Sequence, residues 1–195
     1  SPSELEKGFR TWIREICGKY RGLVSIDGKE ICGAREEKGD GSFESLRIVS
    51  AWASSNGVSL GQEKVSDKSN EIKAIPLLIK ALDLEGCIIT IDAIACQHEI
   101  VSTVIDAKAD YLISVKKNQK KLYETIEGWF SDIDIYGNNI GGRGHIPQTR
   151  YRYSITEESS HGRFERRVCQ VYNNGVLSKV LKWKGVNSVA CLTNT

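Results

Sequence analysis

Two short apolar segments, each followed at once by an aspartate, constrain the fold of this chain more than any other feature. Residues 23–26 read Leu-Val-Ser-Ile before Asp27, and residues 87–91 read Cys-Ile-Ile-Thr-Ile before Asp92. The second segment is a nearly continuous apolar run, which is typical of a parallel strand covered on both faces. Both are rich in β-branched residues and adjoin glycine, so each predicts a buried strand that ends at its aspartate.

The segments around the two aspartates alternate between strand-like and helix-like patterns. An Asn56-Gly57 dipeptide between apolar runs predicts a β-hairpin, whereas the polar, glycine-rich residues 33–44 predict a loop. Asn70 is a candidate helix cap, and Pro76 fits the helix that follows only in its first turn. The predicted elements, in chain order, are a helix over 4–20, a strand over 22–27, strands over 46–53 and 58–65, a helix from 70 to 82, a strand over 87–91, a helix over 96–107, a strand over 111–115 and a helix over 119–130.

This order of elements predicts an α/β fold. Right-handed crossovers lay the strands that follow each helix parallel to one another, so we expect a mixed sheet of the ribonuclease-H-like kind, flanked by helices. In that topology the first and fourth strands are neighbours. Asp27 and Asp92 would then lie together at the carboxyl ends of adjacent strands, where binding sites gather in open α/β sheets.

Beyond residue 131 the pattern changes to a β-rich one. Residues 132–149 predict a loop, and strand-like segments follow over 151–155, 164–172, 176–183 and 186–192. We therefore expect three parts: an N-terminal helix over 1–20, a ribonuclease-H-like core over 21–131, and a β-rich insertion subdomain over 132–195. Basic residues concentrate in the third part: Arg143, Arg150, Arg152, Arg163, Arg166 and Arg167.

Composition narrows the class of protein. The formal net charge is only +2, so any basic binding site must be local. No apolar run reaches the length of a membrane span. Six cysteines without a C-x-x-C pair favour free thiols in a reduced, cytoplasmic protein. Methionine is absent, and we expect the chain to be a piece of a longer protein.

Eight short strings of the sequence form a distinctive combination. The strings are Ser25-Ile-Asp-Gly-Lys29, Ile48-Val-Ser-Ala-Trp52, Asp67-Lys-Ser-Asn-Glu-Ile72, Ala74-Ile-Pro76, Gly86-Cys-Ile-Ile-Thr-Ile-Asp-Ala93, Ala109-Asp-Tyr-Leu112, Lys116-Lys-Asn-Gln119 and His161-Gly-Arg-Phe-Glu165. Together they resemble one family, the insertion-sequence transposases that include the H-repeat-associated proteins of Rhs elements. The resemblance begins near residue 20 and continues to the C-terminus.

The resemblance implies the catalytic core of a DDE-type DNA transposase, a metal-dependent enzyme that cleaves and joins phosphodiester bonds. It implies Mg²⁺ or Mn²⁺ as cofactor, transposon-end and target DNA as partners, a homodimer during synapsis, no membrane association, and a nucleoid-associated location when DNA is bound. Arg47 stands where the family usually has histidine. The family's third acid lies in a Trp-x-Ile-Glu string beyond the β insertion, which this sequence does not contain; we expect that acid beyond residue 195.

Asp27 and Asp92 are the candidate catalytic and metal-binding residues. Mg²⁺ prefers hard oxygen ligands, and a few carboxylates with substrate phosphates often suffice to hold it. Each aspartate also has a structural interpretation: Asp27 as a turn residue before Gly28, and Asp92 as the cap of the next helix. Their combination in this topology favours the metal role.

Other polar residues carry weaker hypotheses. Glu71 is a further acid near the predicted site, or a residue that the helix dipole favours at a first turn, and we prefer the second interpretation. Glu165 is an alternative third acid, or a surface residue paired with arginine, and again we prefer the second. His161 has no ligand partner at short spacing. The DNA-binding candidates are Lys116, Asn118, Gln119, Arg150, Arg152, Arg163 and Arg166, each of which also fits a solvated surface.

Two other functions remain open from the sequence. The chain could be a catalytically inactive DNA-binding remnant of a transposase, because the third acid is missing from it. It could also be another ribonuclease-H-like nuclease, which the β-rich tail disfavours. The sequence does not tell the DNA sequence recognised or the oligomeric state.

Overall fold

The computed structural model describes residues 2–18, 20–37, 39–65, 70–131, 151–160, 163–173 and 177–194. Contacts between residues divide the chain into two compact units, Ser1–Asn118 and Gln119–Thr195. The sequence analysis had the β-rich part begin at residue 132, whereas these contacts group the helix before it with the second unit. Among the described residues, none of the helices is both long and apolar enough to cross a membrane.

The first unit is built on a five-stranded mixed sheet. Its elements, in chain order, are α1 (Pro2–Cys17), β1 (Leu23–Glu37), β2 (Phe43–Ala53), β3 (Val58–Val65), α2 (Glu71–Ala81), β4 (Ile88–Ile91), α3 (His98–Asp106) and β5 (Asp110–Ile113). The strand order is β3-β2-β1-β4-β5. Strands β1 to β3 pair antiparallel, and β4 lies parallel to both β1 and β5. This is the mixed ribonuclease-H-like order that the sequence predicts.

Strand β1 is longer than the sequence predicts. It continues through Asp27 to Glu37, so the expectations that it ends at Asp27 and that residues 33–44 form a loop were wrong. The reason is tertiary: the long strand β2 pairs with β1 as far as Glu37 and Phe43, across a register shift between Glu30 and Arg35. Pairing between backbones thus overrides a local composition that favours a loop.

Helix α2 provides much of the layer that covers the sheet. Ile75, Leu78 and Ile79 are buried and belong to one apolar core with side chains of α1, α3 and the strands. Pro76 lies in the second turn of α2, not in the first as predicted. The burial of its neighbours offsets the backbone hydrogen bond that the ring removes. Asn70 precedes the helix but makes no capping hydrogen bond through its side chain.

The two faces of the central strand β4 differ in their exposure. Ile89 and Ile91 are buried in the core, whereas Ile88 on the other face is 45% exposed. The prediction that this strand is covered on both faces was therefore wrong for the described residues. An apolar run shows which side chains the strand carries, but it does not show whether helices or loops pack on one face of the strand or on both.

The second unit contains a separate three-stranded antiparallel sheet. Its elements are α4 (Lys120–Ser131), β6 (Tyr151–Ser160), β7 (Arg163–Asn173), α5 (Leu177–Leu181) and β8 (Ser188–Asn194), and its strand order is β6-β7-β8. The predicted strand over 176–183 is wrong, because residues 177–181 form helix α5. Leu177 and Leu181, four residues apart, both pack against the small core that contains Phe130 of α4, and that spacing suits a helix.

Candidate active site

The parallel pair of strands at the centre of the sheet brings Asp27 and Asp92 together. Ile26 of β1 is in register with Ile91 of β4, and this is the last pair of their parallel ladder. The two aspartates are the next residues on strands that lie about 4.8 Å apart. Both are exposed, and both line one pocket. The structure thus brings the two predicted site residues to the same end of the parallel ladder between β1 and β4.

The pocket has an apolar floor and charged walls. Its volume is about 330 Å³. The floor comes from the strands, from α2 and from the segment after β4, and the charged walls add a third acid and one arginine to the two aspartates. The lining residues are Ile26, Asp27, Gly28, Arg47, Val49, Glu71, Ile75, Ile91, Asp92 and Ile94.

Asp92 is held ionised by contacts with its neighbours. It precedes a short 3-10 turn over Ala93–Ala95. The backbone N–H of Ala93 and a hydrogen bond from Lys116 lower the pKa of the Asp92 carboxyl below its ordinary value. Lys116 Nζ lies 3.3 Å from Asp92 Oδ1. The side chain is therefore a carboxylate at neutral pH, as a ligand for a hard cation must be.

The segment after β5 supports the turn that carries Asp92. Asn118 Nδ2 donates a hydrogen bond of 2.7 Å to the carbonyl oxygen of Ala93. Together with the Lys116 contact, this ties the end of β5 to the end of β4. Of the three DNA-binding candidates predicted here, the structure brings Lys116 to Asp92 and Asn118 to the backbone of Ala93, and Gln119 is the first residue of the second unit.

Glu71, for which the sequence favoured a helix-dipole interpretation, also lines this pocket. It is the first residue of α2 and is buried. Arg47 Nη1 lies 3.8 Å from Glu71 Oε1. A glutamate in the first turn of a helix is common for dipole reasons alone. The distinguishing signal, its burial against β1 and β2, becomes visible only when the sheet is formed.

Two arginines of the second unit, one of them a DNA-binding candidate, have acidic neighbours. Arg166 Nε lies 3.2 Å from Glu157 Oε1, and Arg167 pairs with Glu158 and with Glu165. Arg152 is an exposed residue of β6. Arg163 begins β7, and Arg150 and His161 lie outside the described residues. Glu165 thus has the arginine-paired environment that the sequence analysis preferred for it.

The donor chemistry of the pocket fits a divalent cation such as Mg²⁺. Asp27 and Asp92 offer hard oxygen ligands, and Mg²⁺ is commonly held by one or two carboxylates together with waters and substrate phosphates. Within the described ranges, no group of three or more His, Cys, Asp or Glu side chains is arranged to hold one metal ion. The two aspartates therefore fit an open site, in which waters and substrate phosphates would provide the remaining ligands of the cation.

Comparison with known proteins identifies the family. Residues 20–192 match the family described as "Transposase DDE domain". "Putative transposase YncI" of Escherichia coli O157:H7 is 40% identical over 189 residues, which are 95% of this chain and 45% of that protein. "H repeat-associated putative transposase YhhI" of Escherichia coli K12 is 32% identical over 193 residues, 97% of this chain and 47% of that protein. The chain spans about half the length of these curated relatives.

Solved structures also resemble this chain. One of them is a piggyBac transposase synaptic complex with hairpin DNA, which matches 98% of this chain and 39% of that chain with a TM-score of 0.40 and 14% sequence identity. The resemblance noted in the sequence is confirmed by the family match, which covers the first sheet and its pocket as well as most of the second unit. The chain belongs to the DDE transposase domain family.

Proposed function

We propose that this chain is the catalytic core of a DNA transposase that carries out metal-dependent phosphodiester cleavage and strand transfer. The observation that carries the proposal is the position of Asp27 and Asp92, which follow the last paired residues of neighbouring parallel strands and line one pocket. Membership of the DDE transposase domain family supports the same conclusion. The proposed site of action is bacterial DNA in the cytoplasm, with a homodimer at synapsis.

The residues of the pocket suit this chemistry. Two divalent ions, when bound, would activate the attacking water or 3′-hydroxyl and stabilise the leaving oxygen. Asp27 and Asp92 would hold them, because ionised carboxylates are the ligands that Mg²⁺ prefers. Asn118 keeps the Asp92 turn in position through Ala93.

Lys116 is the cation best placed to meet DNA in this proposal. Its side chain is 66% exposed beside Asp92, so it can contact a phosphate that approaches the pocket. Phosphate contacts position DNA without reading its sequence. Asn118 and Gln119, with Arg150, Arg152, Arg163 and Arg166 of the second unit, remain predicted DNA contacts.

The metal site is tested by titration of Mn²⁺ into the purified chain. We expect measurable binding that Asp27→Asn and Asp92→Asn each weaken by at least about tenfold, because each removes one charged ligand. Asp110→Asn is the matched control, since Asp110 is an exposed aspartate at the start of β5. Unchanged titration in both site variants would defeat the assignment.

Strand transfer tests the reaction itself. We expect the 195-residue chain to show little cleavage or joining of transposon-end DNA, because it lacks the Trp-x-Ile-Glu string that carries the family's third acid. Any longer protein that combines this chain with that string should cleave these ends, and Asp27→Asn should abolish that activity. Robust cleavage by the present chain would show that an acid within it, such as Glu71 or Glu165, completes the site.

A further inference from the structure

Glu71 is a buried carboxylate that the proposed reaction does not yet use. Its residue is only 8% exposed, although it lines the same pocket as Asp27 and Asp92. Burying a charged carboxylate is unfavourable unless other groups compensate for the lost water. Because this burial is unfavourable and Glu71 lies beside the candidate site, the contacts of its carboxylate there must compensate for it.

Arg47 on β2 supplies the opposite charge. It forms an ion pair with Glu30, its cross-strand partner on β1, and its Nη1 lies 3.8 Å from Glu71 Oε1. The arginine therefore lies between an exposed glutamate on the sheet and the buried glutamate of α2. This chain of charges connects the first turn of α2 to both β1 and β2.

Gly28 brings the Glu71 carboxyl directly against strand β1. A Cβ atom at position 28 would lie 2.8 Å from both Cδ and Oε2 of Glu71, closer than such atoms approach in proteins. A side chain at position 28 would therefore displace the Glu71 carboxyl from its present position. Gly28 is the residue immediately after Asp27, so the carboxyl lies against the backbone that carries the first candidate ligand.

The contact occurs where β1 loses one of its two neighbouring strands. The parallel ladder with β4 ends at Ile26, whereas β2 still pairs with Asp27 and Gly28. Beyond Ile26, strand pairing therefore holds the backbone of β1 on the β2 side alone. Glu71 of α2 supplies a contact from the helical layer at that point.

We propose that Glu71 is a positioning residue for the pair of Asp27 and Asp92: its carboxylate, anchored by Arg47, packs against Gly28 and fixes the β1 backbone at Asp27. The inference rests on the proposed metal-binding function. Glu71 acts through Gly28 and is not itself assigned as a ligand. It also adds a third negative charge to the pocket, which strengthens the attraction for a divalent cation.

The test is Mn²⁺ titration of Glu71→Gln, which keeps the size of the side chain and removes its charge. We expect affinity about tenfold weaker with a thermal unfolding midpoint at or below that of the unaltered chain, since Arg47 loses its buried partner. The matched control is Glu30→Gln, which removes the exposed partner of the same arginine and does not line the pocket; its affinity should change by less than about twofold. Unaltered affinity in Glu71→Gln would overturn the proposal.

A second variant disturbs the contact from the other side. Gly28→Ala keeps the Glu71 charge but displaces the carboxyl, so it should also weaken Mn²⁺ binding, and it carries the test if Glu71→Gln does not fold. Gly39→Ala, with open space around its Cβ, is the control. We expect the double variant Gly28→Ala/Glu71→Gln to be no weaker than the weaker single variant, because both disrupt one contact; additive losses would overturn the shared-contact argument.

The same titration separates this inference from the proposed function. Loss of binding in Asp27→Asn and Asp92→Asn with full binding in Glu71→Gln and Gly28→Ala would overturn only the positioning role. Full binding in both aspartate variants would overturn the metal centre, and the positioning role with it.

Discussion

The Asp92 carboxyl is affected chiefly by its immediate neighbours, the N–H of Ala93 and the ammonium group of Lys116. A backbone N–H and an ammonium group, not burial, lower the pKa of its carboxyl. Because the side chain is 63% exposed, solvent screens these contacts and their contribution to folding is small. Their importance lies in the competition between Lys116 and any other cation for the same oxygen atoms.

Removing that competition should strengthen metal binding. We expect Lys116→Gln to bind Mn²⁺ roughly two- to fivefold more tightly, because an exposed ion pair is worth about 1 kcal/mol or less. Titration calorimetry at low ionic strength measures the change, and Lys117→Gln is the neighbouring control. Weaker binding in Lys116→Gln would show that this lysine supports the site instead of competing for it.

A buried thiol near the site should make stability fall in alkaline solution. Burial raises the pKa of Cys96 from 9.0 to about 11, so between these values the unfolded chain loses a proton that the folded chain keeps. Stability from this group is complete below pH 9 and falls as pH rises toward 11. In Cys96→Ala, the unfolding free energy should fall by about 1–2 kcal/mol less between pH 9 and pH 11 than it does in the unaltered chain. Urea unfolding with reductant present measures the difference.

Other buried groups should account for the fall that remains in Cys96→Ala. Burial raises the pKa of Tyr111 to about 12, and it also raises the pKa of the Cys87 thiol. An identical slope in Cys96→Ala and the unaltered chain would contradict the assignment to Cys96.

Turns and strand pairing decide the elements of this fold as much as local preference does. The β2–β3 hairpin was recognised from Asn56-Gly57, because a turn there requires a left-handed backbone that glycine adopts without strain. Gly57 has a φ of +64°, and its N–H donates to the carbonyl of Ala53 at 2.9 Å. Strand β1, by contrast, extends through polar residues only because β2 pairs with them.

Two glycine substitutions should change stability in opposite directions. Gly57→Ala places a side chain at a positive φ and should destabilise the fold by about 1 kcal/mol. Gly8→Ala, in the middle of α1 with open space around it, should stabilise it by about 0.5–1 kcal/mol. Urea unfolding measures both, and a stabilising Gly57→Ala would refute the left-handed turn.

At the scale of the whole molecule, the two units have separate apolar cores. The core of the first unit contains buried residues from Ile13 to Ala109, and that of the second contains Phe130, Tyr172, Leu177 and Val189. The described residues that line the candidate pocket all belong to the first unit. The first unit should therefore fold and bind metal without the second.

A truncated chain tests this division. We expect residues 1–118 alone to unfold cooperatively and to bind Mn²⁺ within about twofold of the whole chain, because the core and both aspartates are retained. Circular dichroism and metal titration measure the two properties. A truncated chain that does not fold would show that the second unit stabilises the first.

Much of the sheet was readable from the sequence for a physical reason. Short β-branched runs bounded by glycine favour buried strands, and right-handed crossovers limit the orders open to strands that are separated by helices. The neighbouring positions of Asp27 and Asp92 follow from that order. The second unit was harder, because the spacing of Leu177 and Leu181 becomes a helical signal only when the core to which both belong is known.

Asp27 and Asp92 could be chosen as site candidates from the chain alone, since each directly follows a short apolar run and the predicted topology makes these two runs neighbours. The contribution of Glu71 could not, because an acid at the start of a helix is ordinarily solvated. Its burial depends on Arg47, 24 positions earlier, and on the missing side chain of Gly28, and these meet only when α2 packs on the sheet. Local sequence patterns indicate backbone preference and periodicity. The burial of a charged side chain depends instead on contacts between residues distant in the sequence, which form only when the chain folds.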